Sequence, residues 1–170
     1  FSEDNTSKEL LVSNSKYIIF STTAIYLIFH FIVSLFYPRI FSPGLWLSTI
    51  IFLITFACTL TLLKYSYLFS QIFWLFGISA TILSAYFTFE QVEILFFFAV
   101  LPFMTITTIG LLGTIILEIL ITIFTLILPS IGLGSPLPEG YQFAIIFVCI
   151  FAGVFGWGIS NNLNSATENA

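Results

Sequence analysis

Glu118 is the one carboxylate set inside an otherwise almost unbroken series of apolar segments, and its surroundings, Thr-Ile-Ile-Leu-Glu-Ile-Leu-Ile at 114–121, supply no cationic partner. A carboxylate at membrane depth is costly, so such groups protonate, turn into the bundle interior or line a polar cavity. That cost makes Glu118 a candidate for sensing or ligand binding. The plainer alternative is a carboxylic acid hydrogen-bonded to a Ser or Thr of a neighbouring helix. His30 is the second ionisable group at this kind of depth. With Tyr26 one turn before it, and Thr81 or Ser84 on a later apolar segment, it could complete a polar pocket open to the outside. Its plainer alternative is a neutral imidazole with one hydroxyl partner. Counting ~1.5 Å per residue puts His30 roughly 20 Å, and Glu118 only ~8 Å, above the inner ends of their spans, so the two are not expected to pair. The same count brings Thr22, Cys58 and Thr105 to the level of Glu118. None of these combinations is a catalytic set. Metal clusters, glycine-rich phosphate loops, nucleophile triads and basic nucleic-acid patches are all missing, so no catalytic residue, metal or cofactor is expected in this segment.

The elements that must hold these residues follow from composition. Of 170 residues, 59% are hydrophobic, 19% aromatic and only 7% charged, which no soluble domain combines. The apolar runs are long and continuous instead of alternating with period two, so the expected class is all-α, an integral membrane bundle in contact with the lipid bilayer. A formal net charge of −4 argues against nucleic acid as a partner. Cys58 and Cys149 fall in apolar stretches without metal or disulfide spacing and read as packing residues.

A spanning helix needs about 20 apolar residues. On that rule the spans fall at about residues 17–36, 45–63 and 68–87, and the last at about 141–159. The stretch 94–128 is too long for one crossing and is expected to be two, with the break in Ile-Gly-Leu-Leu-Gly at 109–113, where Gly110 and Gly113 permit a tight hairpin. Pro102 is expected to kink the first of these two. Residues 129–140, rich in Pro and Gly, read as a loop. The total is about six transmembrane helices, preceded by a polar segment at 1–16. An even number of spans puts both termini on one side. Lys8, Lys16 and Lys64 lie on that side and Arg39 on the other, which favours cytoplasmic termini in a multi-pass protein of the inner (plasma) membrane.

Ala152, Gly156 and Ser160 recur at spacing four on the last span, a small-residue stripe that admits another helix closely; contact within the bundle is favoured over dimerisation. Beyond that span Ile159, Leu163, Ala166 and Ala170 continue one apolar seam, so the helix is expected to run on through residues 160–170 as the start of a cytoplasmic signalling helix.

Several short motifs point further. Phe-Trp-Leu-Phe-Gly at 73–77, Leu101 with Pro102, Gly110 with Gly113, Pro-Leu-Pro-Glu-Gly-Tyr at 136–141 and Ala-Gly-Val-Phe-Gly-Trp at 152–157 precede an Asn-rich exit. Residues 73–170 with these motifs resemble the multi-helix N-terminal membrane region of bacterial sensor histidine kinases, especially hybrid kinases of green non-sulfur bacteria. The resemblance implies an input region of a two-component phosphorelay, which senses an unknown small ligand or only anchors, and passes a signal to a kinase module. It also implies a coiled linker, a homodimer formed through the cytoplasmic part and an ATP-dependent histidine kinase domain, none of which lies in these residues. The rival reading is a small-molecule-binding membrane subunit of an energy-coupling vitamin-type transporter, similar in size and helix number. Against it stands the first span, where Ile25, Tyr26, Ile28, Phe29 and Phe31 leave no small-residue docking stripe.

Overall fold

The computed structural model describes residues 2–36, 43–132 and 137–168, and among them there is no strand. The elements are α1 (Ser2–Phe36), α2 (Pro43–Leu62), α3 (Tyr67–Phe89), a 3₁₀ segment (Val92–Ala99), α4 (Val100–Thr108), α5 (Leu111–Ile131) and α6 (Tyr141–Glu168). The described windows Leu11–Ile32, Pro43–Leu62, Tyr67–Phe89, Leu111–Ile131 and Tyr141–Asn161 are each long and apolar enough to cross a bilayer. The chain is a multi-pass helical membrane protein. Helices are forced on such sequences because hydrocarbon offers the backbone no hydrogen-bond partner. Several polar side chains within the spans obey the same constraint. Thr23, Thr55, Thr81 and Thr105 each donate a hydroxyl proton to the carbonyl four residues earlier, at 2.7 to 2.8 Å, and so carry no unsatisfied group into the apolar phase.

The chain divides into two compact units, Phe1–Thr81 and Ile82–Ala170, with the boundary inside α3. In the first unit, Phe20 of α1 meets Phe56 of α2 edge-on at 5.4 Å, and Ser15 Oγ donates to Tyr67 Oη at 3.0 Å. Gly77 of α3 lies so close to Thr55 of α2 that a β-carbon there would overlap the Thr55 side chain. In the second unit α6 lies against both α4 and α5. Two of its glycines face different neighbours: Gly156 lies against Ile106 and Phe103 of α4, Gly153 against Glu118 and Thr114 of α5.

The crossing expected to begin near Ile94 differs from the other spans. It is a 17-residue apolar piece, Val92–Thr108, whose first eight residues are 3₁₀ and whose last nine are α-helical. At ~2.0 Å per 3₁₀ residue and ~1.5 Å per α residue its length is about 30 Å, the thickness of the hydrocarbon core. The stretched geometry thus lets a segment too short for a regular spanning helix match a bilayer. Pro102 belongs to this device. Pro102 stands in the first turn of α4, where its missing N–H costs least, and the 3₁₀ segment ends three residues before it.

The break expected at 109–113 is narrower than the sequence suggests. Ile109 and Gly110 make it; Gly110 has φ 99° and ψ −177°, a conformation open essentially to glycine only, and the Ile109 and Gly110 N–H groups both donate to the Thr105 carbonyl. Gly113 is not part of the turn. It lies in the first turn of α5, where a β-carbon would come within 2.5 Å of Ile109 Cγ2. The loop expected from Pro129 begins later as well. Helix α5 continues through Pro129 to Ile131, because a proline so near the end forfeits a single hydrogen bond, and Gly132 at φ 68° closes it in the left-handed conformation. Residues 133–136 lie outside the described part.

Candidate functional site

His30 and Glu118 each stand in a cluster, one in each unit. In the first unit, α1 carries Tyr26 and His30 one turn apart, and α2 presents Thr49 to both. Thr49 Oγ1 lies 3.2 Å from Tyr26 Oη and 3.1 Å from His30 Nδ1, and it donates its own proton to the Leu45 carbonyl at 3.0 Å. With that proton committed, the Thr49 oxygen accepts from both neighbours. When Thr49 holds that bond, Tyr26 is the donor in its own contact with Thr49, and a His30 ring facing the same oxygen donates from Nδ1. Aromatic rings frame the chain. Phe52 stacks on Tyr26 at 4.2 Å and Trp46 meets His30 edge-on at 5.6 Å.

This arrangement bonds α1 to α2. Of the groups grouped with His30 from sequence, Tyr26 stands beside it, while Thr81 is buried with its hydroxyl turned to the Gly77 carbonyl at 2.8 Å. Ser84 falls in the other unit. Thr49 is the partner that sequence reasoning missed, and its signal was weak, since α2 offers Ser48, Thr49, Thr55, Thr59 and Thr61 as equivalent hydroxyls. Thr49→Val, close to isosteric, removes both interhelical bonds. At about 0.6 kcal/mol for an average interhelical bond in a membrane protein, it is expected to destabilise the detergent-solubilised chain by about 1–2 kcal/mol, with Tyr26→Phe costing about half as much in the same thermal unfolding assay.

In the second unit, α5 places Glu118 half-buried against α6. Its Oε1 occupies the place that a β-carbon on Gly153 would take, and that same position is 3.2 Å from Glu118 Cδ and 3.3 Å from Thr114 Cγ2. Cys149, one turn before Gly153, is a buried free thiol. Thr114 donates to the Gly110 carbonyl at 3.0 Å. Thr105, which the depth count brought to the level of Glu118, donates to the Leu101 carbonyl at 2.7 Å. The carboxyl thus rests on an α6 backbone position that lacks a side chain. Sequence reasoning singled out Gly156 on α6 and passed over Gly153, although Cys149 and Gly153 share a face at spacing four. Of the small-residue stripe, Gly156 is buried against α4, and Ala152 and Ser160 are half-buried.

Among the described residues no three His, Cys, Asp or Glu side chains assemble a metal site. A shallow groove lined by Phe69, Ile72, Phe73, Phe76, Gly77 and Ala80 follows one side of α3 and is almost wholly apolar. No protein-family model, curated protein or solved structure matches this chain.

Proposed function

We propose that this chain is the membrane-embedded input region of a bacterial sensor histidine kinase, seated in the plasma membrane with both termini in the cytoplasm. The observation that supports the reading is α6, which runs without interruption from Tyr141 to Glu168. Its 28 residues measure about 42 Å, some 12 Å more than the hydrocarbon core, and the excess lies at the polar end. A helix packed against α4 and α5 at one end and free of the bilayer at the other can carry a small rotation or shift of the bundle to a homodimeric module beyond it. In this reading the Glu118 and His30 clusters are where a small ligand or the bilayer itself acts on the bundle.

Register tests the proposal. One residue inserted after Leu163 turns everything beyond it by about 100°, whereas seven restore the face to within roughly 20°. In the full-length protein, autophosphorylation is expected to change with one inserted residue and to recover with seven. Equal output from both insertions would show a flexible tether in place of a signalling helix. The reading frame beyond Ala170 provides the second test. A His-bearing helical pair followed by an ATP-binding module is expected, and a stop codon there would overturn the kinase assignment.

A further inference from the structure

The 3₁₀ segment Val92–Ala99 runs for eight residues, about twice the usual limit for a geometry whose hydrogen bonds are poorer than those of an α-helix. Both of its ends show the three-residue register. The Ile94 N–H donates to the Gln91 carbonyl at 3.2 Å, and the Val100 N–H donates to the Phe97 carbonyl. The residues themselves do not require it. No glycine or proline stands between 92 and 99, and Pro102 withholds only one α-type bond, the one that would close on the Phe98 carbonyl.

Contact holds the geometry instead. Burial follows a period of three: Val92, Leu95 and Phe98 are buried and Leu101 of α4 extends the row, whereas Glu93, Phe97 and Val100 are exposed. In 3₁₀ geometry residues three apart eclipse, so the row forms one face. In an α-helix each such step falls short by ~60°, and Val92 and Phe98 would stand about 120° apart. The segment packs on α6, where Phe96 meets Tyr141 at 5.9 Å, and its Phe98 meets Phe124 of α5 at 5.9 Å. Local preference for α and a packed face that requires 3₁₀ thus oppose each other in one segment, the condition for an element with two states.

The two states differ in length. At ~0.5 Å per residue, conversion to α shortens the segment by about 4 Å and takes the whole crossing from about 30 Å to about 26 Å. A regular helix in a thinner bilayer tilts, or the bilayer deforms around it, at a cost that grows with each ångström of mismatch. This crossing has the further option of contracting. We propose that Val92–Ala99 responds to bilayer thickness, being 3₁₀ in a membrane of ordinary thickness and α-helical in a thinner one. Its ligand is the hydrocarbon core itself. Contraction turns Phe96 against the first residue of α6, Tyr141, so a change in the lipid reaches the helix that runs on beyond the bilayer. The inference goes beyond the kinase reading and does not depend on it.

The test uses the whole chain, ¹³C,¹⁵N-labelled, in phosphatidylcholine nanodiscs with hydrocarbon cores about 33 Å and about 23 Å thick, either side of the standard ~30 Å. Nuclear Overhauser contacts from Hα to amide protons report the geometry, because (i, i+2) contacts mark 3₁₀ and (i, i+4) contacts mark α. In the thicker bilayer Val92–Ile94 and Ile94–Phe96 contacts are expected. In the thinner one the intensity of Val92–Phe96 and Glu93–Phe97 relative to those two is expected to rise at least about threefold, with the (i, i+4) contacts along α5 unchanged. The same pattern at both thicknesses, whether 3₁₀ or α, would overturn the proposal, as would a ratio that rises in the thicker bilayer. Loss of both sets of contacts in the thinner bilayer would overturn it too, since the segment would then melt instead of contracting.

Discussion

Gly77→Ala is expected to destabilise the chain by about 2–3 kcal/mol in detergent, even though alanine is the better helix former by about 1 kcal/mol. The added methyl would stand 2.6 Å from Thr55 Cβ and closer still to both branches of that side chain. Thr55 cannot swing aside. It is buried, branched at Cβ, and held by its 2.8 Å hydrogen bond to the Ile51 carbonyl. The strain must therefore be relieved by parting α2 from α3, and Gly77→Leu should lose the folded monomer altogether. Thr55→Ser, which keeps Cβ and the hydroxyl, is expected not to rescue Gly77→Ala, whereas Thr55→Gly should recover most of the loss. Gly158→Ala is the control, since nothing lies within 4 Å of its β-position and helix propensity alone should raise stability by up to about 1 kcal/mol. Thermal unfolding of the five variants measures the set. A Gly77→Ala chain as stable as Gly158→Ala would refute the close approach of α2 and α3.

The second large effect is a coupling. Gly153→Ala places its methyl where Glu118 Oε1 lies, and the carboxyl must leave α6. A glutamate side chain is flexible, so the single change is expected to cost less than Gly77→Ala, about 1–2 kcal/mol, and to act by turning the carboxyl toward lipid. Glu118→Ala empties the position. In that background Gly153→Ala should become favourable by up to about 1 kcal/mol, giving a double-mutant coupling of about 1–3 kcal/mol. Glu118→Gln keeps the volume and removes the ionisable group, so it is expected to leave Gly153→Ala as damaging as before. If Glu118→Gln rescued as well as Glu118→Ala, charge and not shape would govern the contact. Additivity in the Glu118→Ala background would show that the two residues do not touch.

The membrane class and most spans were legible because hydrocarbon imposes so few solutions. Long apolar runs must be helical, and their lengths are set by bilayer thickness. The turn at Lys64 and Tyr65 follows from the same arithmetic, and the unbroken last helix was read from the apolar seam that Ile159, Leu163 and Ala166 continue beyond the span. Residues 92–108 were less legible, because a rule of ~1.5 Å per residue assumes α geometry throughout and a 3₁₀ segment covers the same distance with fewer residues. The glycine break was found but drawn too wide. Glycine marks both a turn, as at Gly110, and a tight helix contact, as at Gly113, and spacing does not tell them apart.

The candidate groups divide the same way. Composition alone exposes Glu118 and His30 as costly residues, since any charge in so apolar a chain stands out. Their partners were decided by tertiary structure. Thr49 is one of several equivalent hydroxyls on α2, and only the rotation of α2 against α1 selects it for Tyr26 and His30. Gly153 precedes Gly156 by three residues on α6, so the two point about 60° apart around the axis. Only the placement of α6 against two helices assigns Gly156 to α4 and Gly153 to the Glu118 carboxyl. The sequence determines which residues lie in the bilayer, because transfer from water depends on each segment's own composition. Which side chains meet there depends on helix rotation and close packing, where neighbouring apolar faces are nearly equivalent in solvation and small differences in shape decide.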